Sequence, residues 1–450
     1  MPPFIARFHT NASMVRTLGL SGLALASLLG TSPSFAAAPA PDLNDVSASE
    51  PVLVANLFRQ IGDAIRSVGE IADTVNTVDS LLQQITGSGA AQSEPPTAPQ
   101  SATPGTSPAP ATAQSPGLEA WNQAIPNNPF ISRRQFSGHQ GSVSALSFSP
   151  DSTVLASSSE DGTIRLWDVR ASSLNRVLQG HRHPVFRASF SPTGQILASG
   201  DARGMIKMWN VQTGEEMASV SAHSMGVSGL AFSPNGQILA SSSTDNRQGI
   251  KLWSLQTGAV LHTLTSQNAG ITSISFSPDN RFLASSGSYS RTAGQPEVDG
   301  DIRIWNVQTG TEVRSLRGHR GRVSRVRFSP NGRLLASSGA DGTIKLWNAE
   351  TGAEIRTLRG HEREVPDFYF SQNGDFLVSV SFDNTMKFWD TRTGENYRTE
   401  TTSGNPRRVA LSPDGRFLAY SSPQDGHTSN FSPPGVVHML VSSSFERRSR

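Results

Sequence analysis

Five histidines, His139, His181, His223, His319 and His361, recur along this 450-residue chain, and Asp161, Asp245, Asp299, Asp341 and Asp383 recur with them. Imidazole and carboxylate are the raw material of general acid–base catalysis and of metal coordination. Repetition argues against both uses, because a site is normally single whereas these groups return in every well-formed unit. They read as structural. Motifs that would carry a reaction are missing: there is no G-x-S-x-G elbow, no phosphate-cradling G-x-x-x-x-G-K-[ST] and no dinucleotide G-x-G-x-x-G. His361-Glu362-Arg363-Glu364-Val365 begins like a zinc helix but ends in Val and lies on a loop. Glu297, Asp299 and Asp301 form an acidic cluster in a long insert. Hard cations want six or more oxygens in a closed loop, so a solvated loop is expected. Zero cysteines exclude disulfides, thiolate nucleophiles and cysteine-based zinc sites. No catalytic residue, cofactor or metal is expected.

The tryptophans show what positions these groups. Trp167, Trp209, Trp253, Trp305, Trp347 and Trp389 are separated by 42, 44, 52, 42 and 42 residues. The stretch from Gly318 to Ala349 shows the unit. Val323, Val326 and Phe328 form a short apolar run, cut by Ser329-Pro330-Asn331-Gly332. Proline presets a turn dihedral and glycine supplies a positive φ, so a tight turn between two strands is expected. Leu334–Ser338, Thr343–Asn348 and Glu354–Leu358 make further runs, separated by Ala340-Asp341-Gly342 and Glu350-Thr351-Gly352. Four short antiparallel strands cannot bury both faces alone, but stacked radially they can.

A period in the low forties that opens with Gly-His and closes with Trp-Asp or its like resembles the WD-repeat family, over roughly residues 131–443. The resemblance implies an all-β fold, a seven-bladed WD-repeat β-propeller. Six copies are plain. The seventh, Arg407–Ser443, lacks the Trp and a fourth strand. Ser132–Phe136 stands just before the first Gly-His, so it is expected to pair with Val436–Val441 and close the ring, abolishing an open edge.

The resemblance also implies a hydrogen-bond network in each blade, from the His before the first strand through a Ser or Thr of the second to the turn Asp and the Trp. Blade one would use His139, Ser157 or Ser159, Asp161 and Trp167. His181 and Trp209, His223, Asp245 and Trp253, Asp299 and Trp305, His319, Asp341 and Trp347, and His361, Asp383 and Trp389 would do the same in the following blades. Arg203, Gln267 and Thr402 break the pattern in blades two, four and seven. The family commonly binds partners on the face that carries the Gly-His loops, around the channel. Among the positions that the resemblance places there, Phe186, Arg322, Glu364 and Arg407 stand out, because aromatic and Arg side chains anchor interfaces. Lengthened turns at Asp245–Gly249, Ser288–Gly300 and Pro423–Gly435 are expected on the same face.

The N-terminal part is different. Arg7 and Arg16, an apolar stretch from Leu18 to Leu29, and Ser34-Phe35-Ala36 form a three-part secretory signal, expected over 1–36. Its dozen apolar residues fall short of the ~20 needed to cross a bilayer, and no other transmembrane segment is expected. An exported protein, periplasmic or extracellular, follows as an expectation. Val54, Phe58, Ile61, Ile65, Val68, Ala72, Val75 and Leu82 lie at helical spacings, so an amphipathic helical segment is expected over 51–86. Its stripe would either dock on the propeller or serve self-association or a partner. Residues 87–128 are rich in Ala, Pro, Ser, Gln and Thr and read as a tether. A formal net charge of +2 gives no general pull on nucleic acid. Arg320, Arg322, Arg325 and Arg327 stand beside Glu362, Glu364 and Asp367, so nucleic acid is not expected as a partner. The functional expectation is a non-catalytic scaffold for a protein partner. The alternative is an enzyme or small-ligand propeller with its site at the channel mouth.

Overall fold

In a computed structural model, the residues described are 130–245, 249–265, 269–289, 300–423 and 434–442. The expected signal, helical segment and tether lie outside them. The described residues form seven four-stranded antiparallel sheets and no helix. The chain is a seven-bladed β-propeller. Blade one is Val143–Phe148, Val154–Ser159, Ile164–Asp168 and Ser173–Leu178, in that order across the sheet. Blades two to six repeat the order, with innermost strands Val185–Phe190, Val227–Phe232, Ala269–Phe276, Val323–Phe328 and Asp367–Phe370. Blade seven joins the two ends of the described chain: Arg408–Leu411, Phe417–Pro423 and Gly435–Ser442 are completed by Phe130–Phe136. In that last pair Phe136 faces Val437 and Arg134 faces Met439.

Alternating apolar residues explain why such sheets stack. Leu155, Trp167, Val143 and Phe148 of blade one pack with Phe417, Ala419, Val437 and Met439 of blade seven, and Phe136 joins the same cluster. The Phe136 and Trp167 rings lie 5.0 Å apart. Each further cluster likewise spans one blade and the next, for example Ala336, Ile344 and Leu346 with Phe368, Phe370 and Trp389. Burial of this kind stabilises at roughly 25 cal/mol per Å² of apolar surface, so the blades hold one another.

The turns behave as their residues require. Gly332 takes φ 71° and Gly342 φ 72°, values an L side chain rarely adopts. In the first turn the Gly332 amide donates to the Ser329 carbonyl at 2.9 Å. Each innermost strand of blades one to five carries a register shift near its start, such as that between Val143 and Ala145 or between Val323 and Arg325. A bulge of this kind re-aims the side chains beside it. Here it sits at the end of the strand that receives the Gly-His loop.

Candidate functional site

The repeated histidines form relays. In blade one Trp167 Nε1 donates to Ser157 Oγ at 2.8 Å, Ser157 Oγ lies 2.8 Å from His139 Nε2, and His139 Nδ1 lies 2.9 Å from Asp161 Oδ2. Ser157, not Ser159, is the serine of the network; Ser159 Oγ donates to the Gly141 carbonyl. The geometry is satisfied when the Ser hydroxyl donates to Nε2 and the Nδ1 proton goes to the carboxylate. Blades five and six repeat it with Trp347, Ser337, His319 and Asp341, and with Trp389, Ser379, His361 and Asp383.

This is the connectivity of a nucleophile, a base and an orienting acid, yet it cannot serve as one. The serines are 0% exposed, and each hydroxyl oxygen is already capped by an indole N–H. A nucleophile needs access to substrate, so the relay is a fastening. It also fixes charge. Burial pushes the Asp161 and Asp341 carboxyls up, but bonds from their histidines and from Thr163 and Thr343 outweigh that and hold both well below the usual range.

Departures follow a different line from the one the spacing suggests. Blade two is complete: Asp201, at the end of the second strand, takes His181 Nδ1 at 2.9 Å, and Trp209 and His181 share Ser199. Arg203 is exposed and leaves the network intact, because the carboxylate reaches the imidazole from two residues earlier. Blade three is incomplete. His223 Nε2 and Trp253 share Ser241, but Asp245 accepts from Ser224 Oγ and His223 Nδ1 is buried without a hydrogen bond. In blade four Trp305 donates to Ser285, while Asp299 and Gln267 lie outside the described residues. Asp301, expected in a solvated cluster, is buried and accepts from Arg303 Nε and Ser315 Oγ, each at 2.8 Å. Blade seven replaces the relay by a ring stack, Tyr420 on His438 at 4.6 Å, with His438 Nε2 2.8 Å from Ser422 Oγ.

With the relays consumed internally, the polar groups left around the axis come from the innermost strands. One register level holds Ala145, Arg187, Gly229, Ser273, Arg325, Asp367 and Arg408, opposite Ser158, Gly200, Ser242, Ser286, Ser338, Val380 and Ser421 of the second strands. Sequence reasoning missed this level as a set. Aligning the residue three before the Phe or Leu that closes each first strand would have shown it. Arg325 clasps Asp367 through two bonds of 2.7 and 2.9 Å. Burial raises the Asp367 carboxyl, but Arg325 and Arg327 beside it pull it below its ordinary value. Arg187 reaches the Thr272 carbonyl of blade four at 3.2 Å. Arg408 donates to the Ser144 carbonyl of blade one.

The four expected rim residues divide into two groups. Arg322 and Glu364 form an ion pair between blades five and six, and Ser324 Oγ also donates to Glu364 at 2.7 Å. Phe186 and Arg407 line a pocket between the other blades. Arg407, with 47% of its side chain exposed, stands 3.7 Å from Glu160. Of the lengthened turns, residues 246–248, 290–299 and 424–433 lie outside the described residues. The flanks that are described place the turns at the end of the sheets where the Gly-His loops lie. Among the described residues no helix is long and apolar enough to cross a membrane, and no three His, Asp or Glu converge as metal ligands.

Seven radially stacked sheets with indole–Ser–His–Asp relays define a repeat propeller. The chain matches the family described as WD domain, G-beta repeat at residues 130–168, 172–210, 214–254, 258–306, 310–348 and 352–390, more than half of its length. It belongs to that family, whose propellers typically act as protein-interaction scaffolds. Two shorter likenesses accompany this one. The Target of rapamycin complex subunit LST8 of Saccharomyces cerevisiae is 49% identical over 49 residues, 11% of this chain and 15% of the relative. The Target of rapamycin complex subunit wat1 of Schizosaccharomyces pombe is 51% identical over 41 residues, 9% of this chain and 13% of the relative. The chain thus matches about one repeat of each and spans far less than their full lengths.

Proposed function

We propose that this protein is an exported, non-catalytic scaffold that binds a protein partner on the face carrying the Gly-His loops. One observation carries the reading: the imidazoles and most of their acids are spent inside the blades, while the channel mouth on this face presents Phe186, Arg322, Arg407 and an exposed Met225. Met225, in the loop before the third innermost strand, has 51% exposure, the highest among the large apolar residues described. Aromatic, Met and Arg side chains are the types enriched where proteins meet. The relatives are named as subunits of complexes, which supports a place in an assembly.

Export rests on the three-part pattern of residues 1–36, and the mature chain is expected to begin near Ala37. N-terminal sequencing of protein recovered from outside the cytoplasm tests it; an intact Met1 there counts against a cleaved signal. The interaction face is tested by affinity capture with the double variant Arg322→Glu, Arg407→Glu. Loss of the partner with an unchanged melting curve is expected. Capture equal to that of the unaltered protein would refute the face.

A further inference from the structure

The register level of Arg187, Arg325, Asp367 and Arg408 does not balance its charge. It holds three guanidinium groups and one carboxylate, and Arg325 already occupies that carboxylate with a bidentate pair. Arg187 and Arg408 form no ion pair among the described residues; their bonds go to the backbone carbonyls of Phe186, Thr272, Ser144 and Arg407. Carbonyl dipoles orient a guanidinium but do not neutralise it. Arg187 Nε is buried and has no hydrogen-bond partner, an arrangement that costs free energy unless something supplies an acceptor. Burial and the neighbouring cations also disfavour the charged form of both: burial and Arg408 push Arg187 down, and burial and Arg325 push Arg408 down to about 10.

These cations open into a pocket. It has a volume of about 230 Å³ and lies where blades one, two, three and seven meet at the Gly-His end of the channel. Arg187, Arg407 and Arg408 line it against one acid, Glu160, which already lies beside Arg407. Phe186, Val143 and Val227 form an apolar wall. The volume falls below the 300–1,000 Å³ of common small-molecule sites, and it suits one inserted side chain. Guanidinium groups offer a planar fork that matches a carboxylate. A free phosphate would meet the cations but leave the apolar wall uncovered, whereas the methylenes of a glutamate would lie against it.

We propose that this pocket is an oxyanion site that receives a carboxylate side chain from an acidic segment of the protein partner. The proposal rests on the reading of the Gly-His face as the docking face, and it adds the chemistry that the partner must present.

Calorimetric titration of the full chain tests it with three probes: a terminally blocked tetraglutamate peptide, the matching tetraglutamine peptide and inorganic phosphate. Tetraglutamate is expected to bind at low salt, more weakly as salt rises, and tetraglutamine is expected not to bind. Arg407→Gln, at an exposed position, should weaken tetraglutamate about 10-fold, and Arg187→Gln about 30-fold or more, as expected for a desolvated charge partner. Arg187 also holds two carbonyls, so melting curves accompany it, and Arg407→Gln stands as the variant that leaves the fold alone. Equal binding of the two peptides, or tetraglutamate binding unchanged in Arg407→Gln, overturns the proposal. Phosphate binding without tetraglutamate binding overturns it in favour of a free-anion site. Partner capture that survives Arg187→Gln in a folded protein overturns the pocket and leaves the docking face standing. Tetraglutamate binding with capture indifferent to Arg322→Glu, Arg407→Glu would sink the face and overturn the assignment of the pocket to the partner, since Arg407 lines it.

Discussion

Removing the Asp201 carboxylate should destabilise blade two, and removing the Arg203 side chain should not. Spacing along the repeats puts Arg203 where other blades have the relay aspartate, yet it is Asp201 that meets His181 Nδ1 at 2.9 Å. Its other oxygen accepts from the Arg203 and Met205 amides at 2.9 and 3.0 Å. In Asp201→Ala the imidazole, 1% exposed, loses its acceptor where water cannot replace it. A hydrogen bond to a charged group is worth about 1.5–3 kcal/mol, and the two turn amides, nearer to solvent, add about 1 kcal/mol. We expect a total of about 3–4 kcal/mol in urea denaturation, or a melting point lower by about 6–8 °C. Arg203→Ala should stay within about 0.5 kcal/mol of the unaltered protein. Acid should close the gap. Burial raises the Asp201 carboxyl, but the His181 and backbone bonds outweigh it and depress the folded pKa. The contribution is therefore present above the ordinary pKa of about 4 and is lost as pH falls through the folded value. Equal losses for the two variants, or a larger one for Arg203→Ala, would refute the reasoning.

Other outcomes follow from the same geometry. Burial first, and Lys251 second, push His223 down to about 4. Its neutral form is favoured in the folded state, so its stability contribution is full above about 6.5 and is lost as pH falls toward 4. Between pH 7 and 5 the loss should be about 2 kcal/mol, and His223→Gln should flatten that part of the denaturation profile; an unchanged slope would count against the shift. Deleting residues 1–136 removes the strand that completes blade seven, together with Phe136 from its core cluster. A sharply lower melting point is expected for that chain and none for deletion of 1–128, and equal melting would contradict the role of the strand. Lys207 and Lys345 pair with Glu216 and Glu354, which stand opposite the blade Trp, whereas Val260 holds that position beside Lys251. Val260→Glu should therefore stabilise by about 0.5–1 kcal/mol, and more at low salt; a drop in melting temperature would show that Lys251 gains nothing from it.

How far the sequence could be read depended on whether an interaction repeats within a blade. The Trp spacing, the turn glycines and the Gly-His pairs recur every forty-odd residues, so six blades were legible. The seventh was traced through Leu418 and the Ser412-Pro413 turn although Leu440 stands at its Trp place. Choosing between Ser157 and Ser159 was beyond spacing, since both are buried and the choice depends on strand register: Trp167 faces Leu155, two residues from Ser157 and four from Ser159. Asp201 escaped because a carboxylate can reach one imidazole from either of two turn positions. The axial arginines escaped for another reason. Arg187 meets Thr272 across 85 residues, and Arg408 meets Ser144 across 264. Such contacts belong to the ring and not to the repeat. Bulges at the strand starts, which set the side-chain directions there, have no residue signature in this chain.

Amide hydrogen exchange of the protein with and without its captured partner tests the docking face most directly. The account predicts protection at the Gly-His end: the loops that enter the first strands of blades one, two and three, and the Asn405–Arg408 segment around the pocket. Protection confined to outer strands such as Ser173–Leu178, or to the opposite turns at Ser149–Ser152 and Ser191–Gly194, would contradict it.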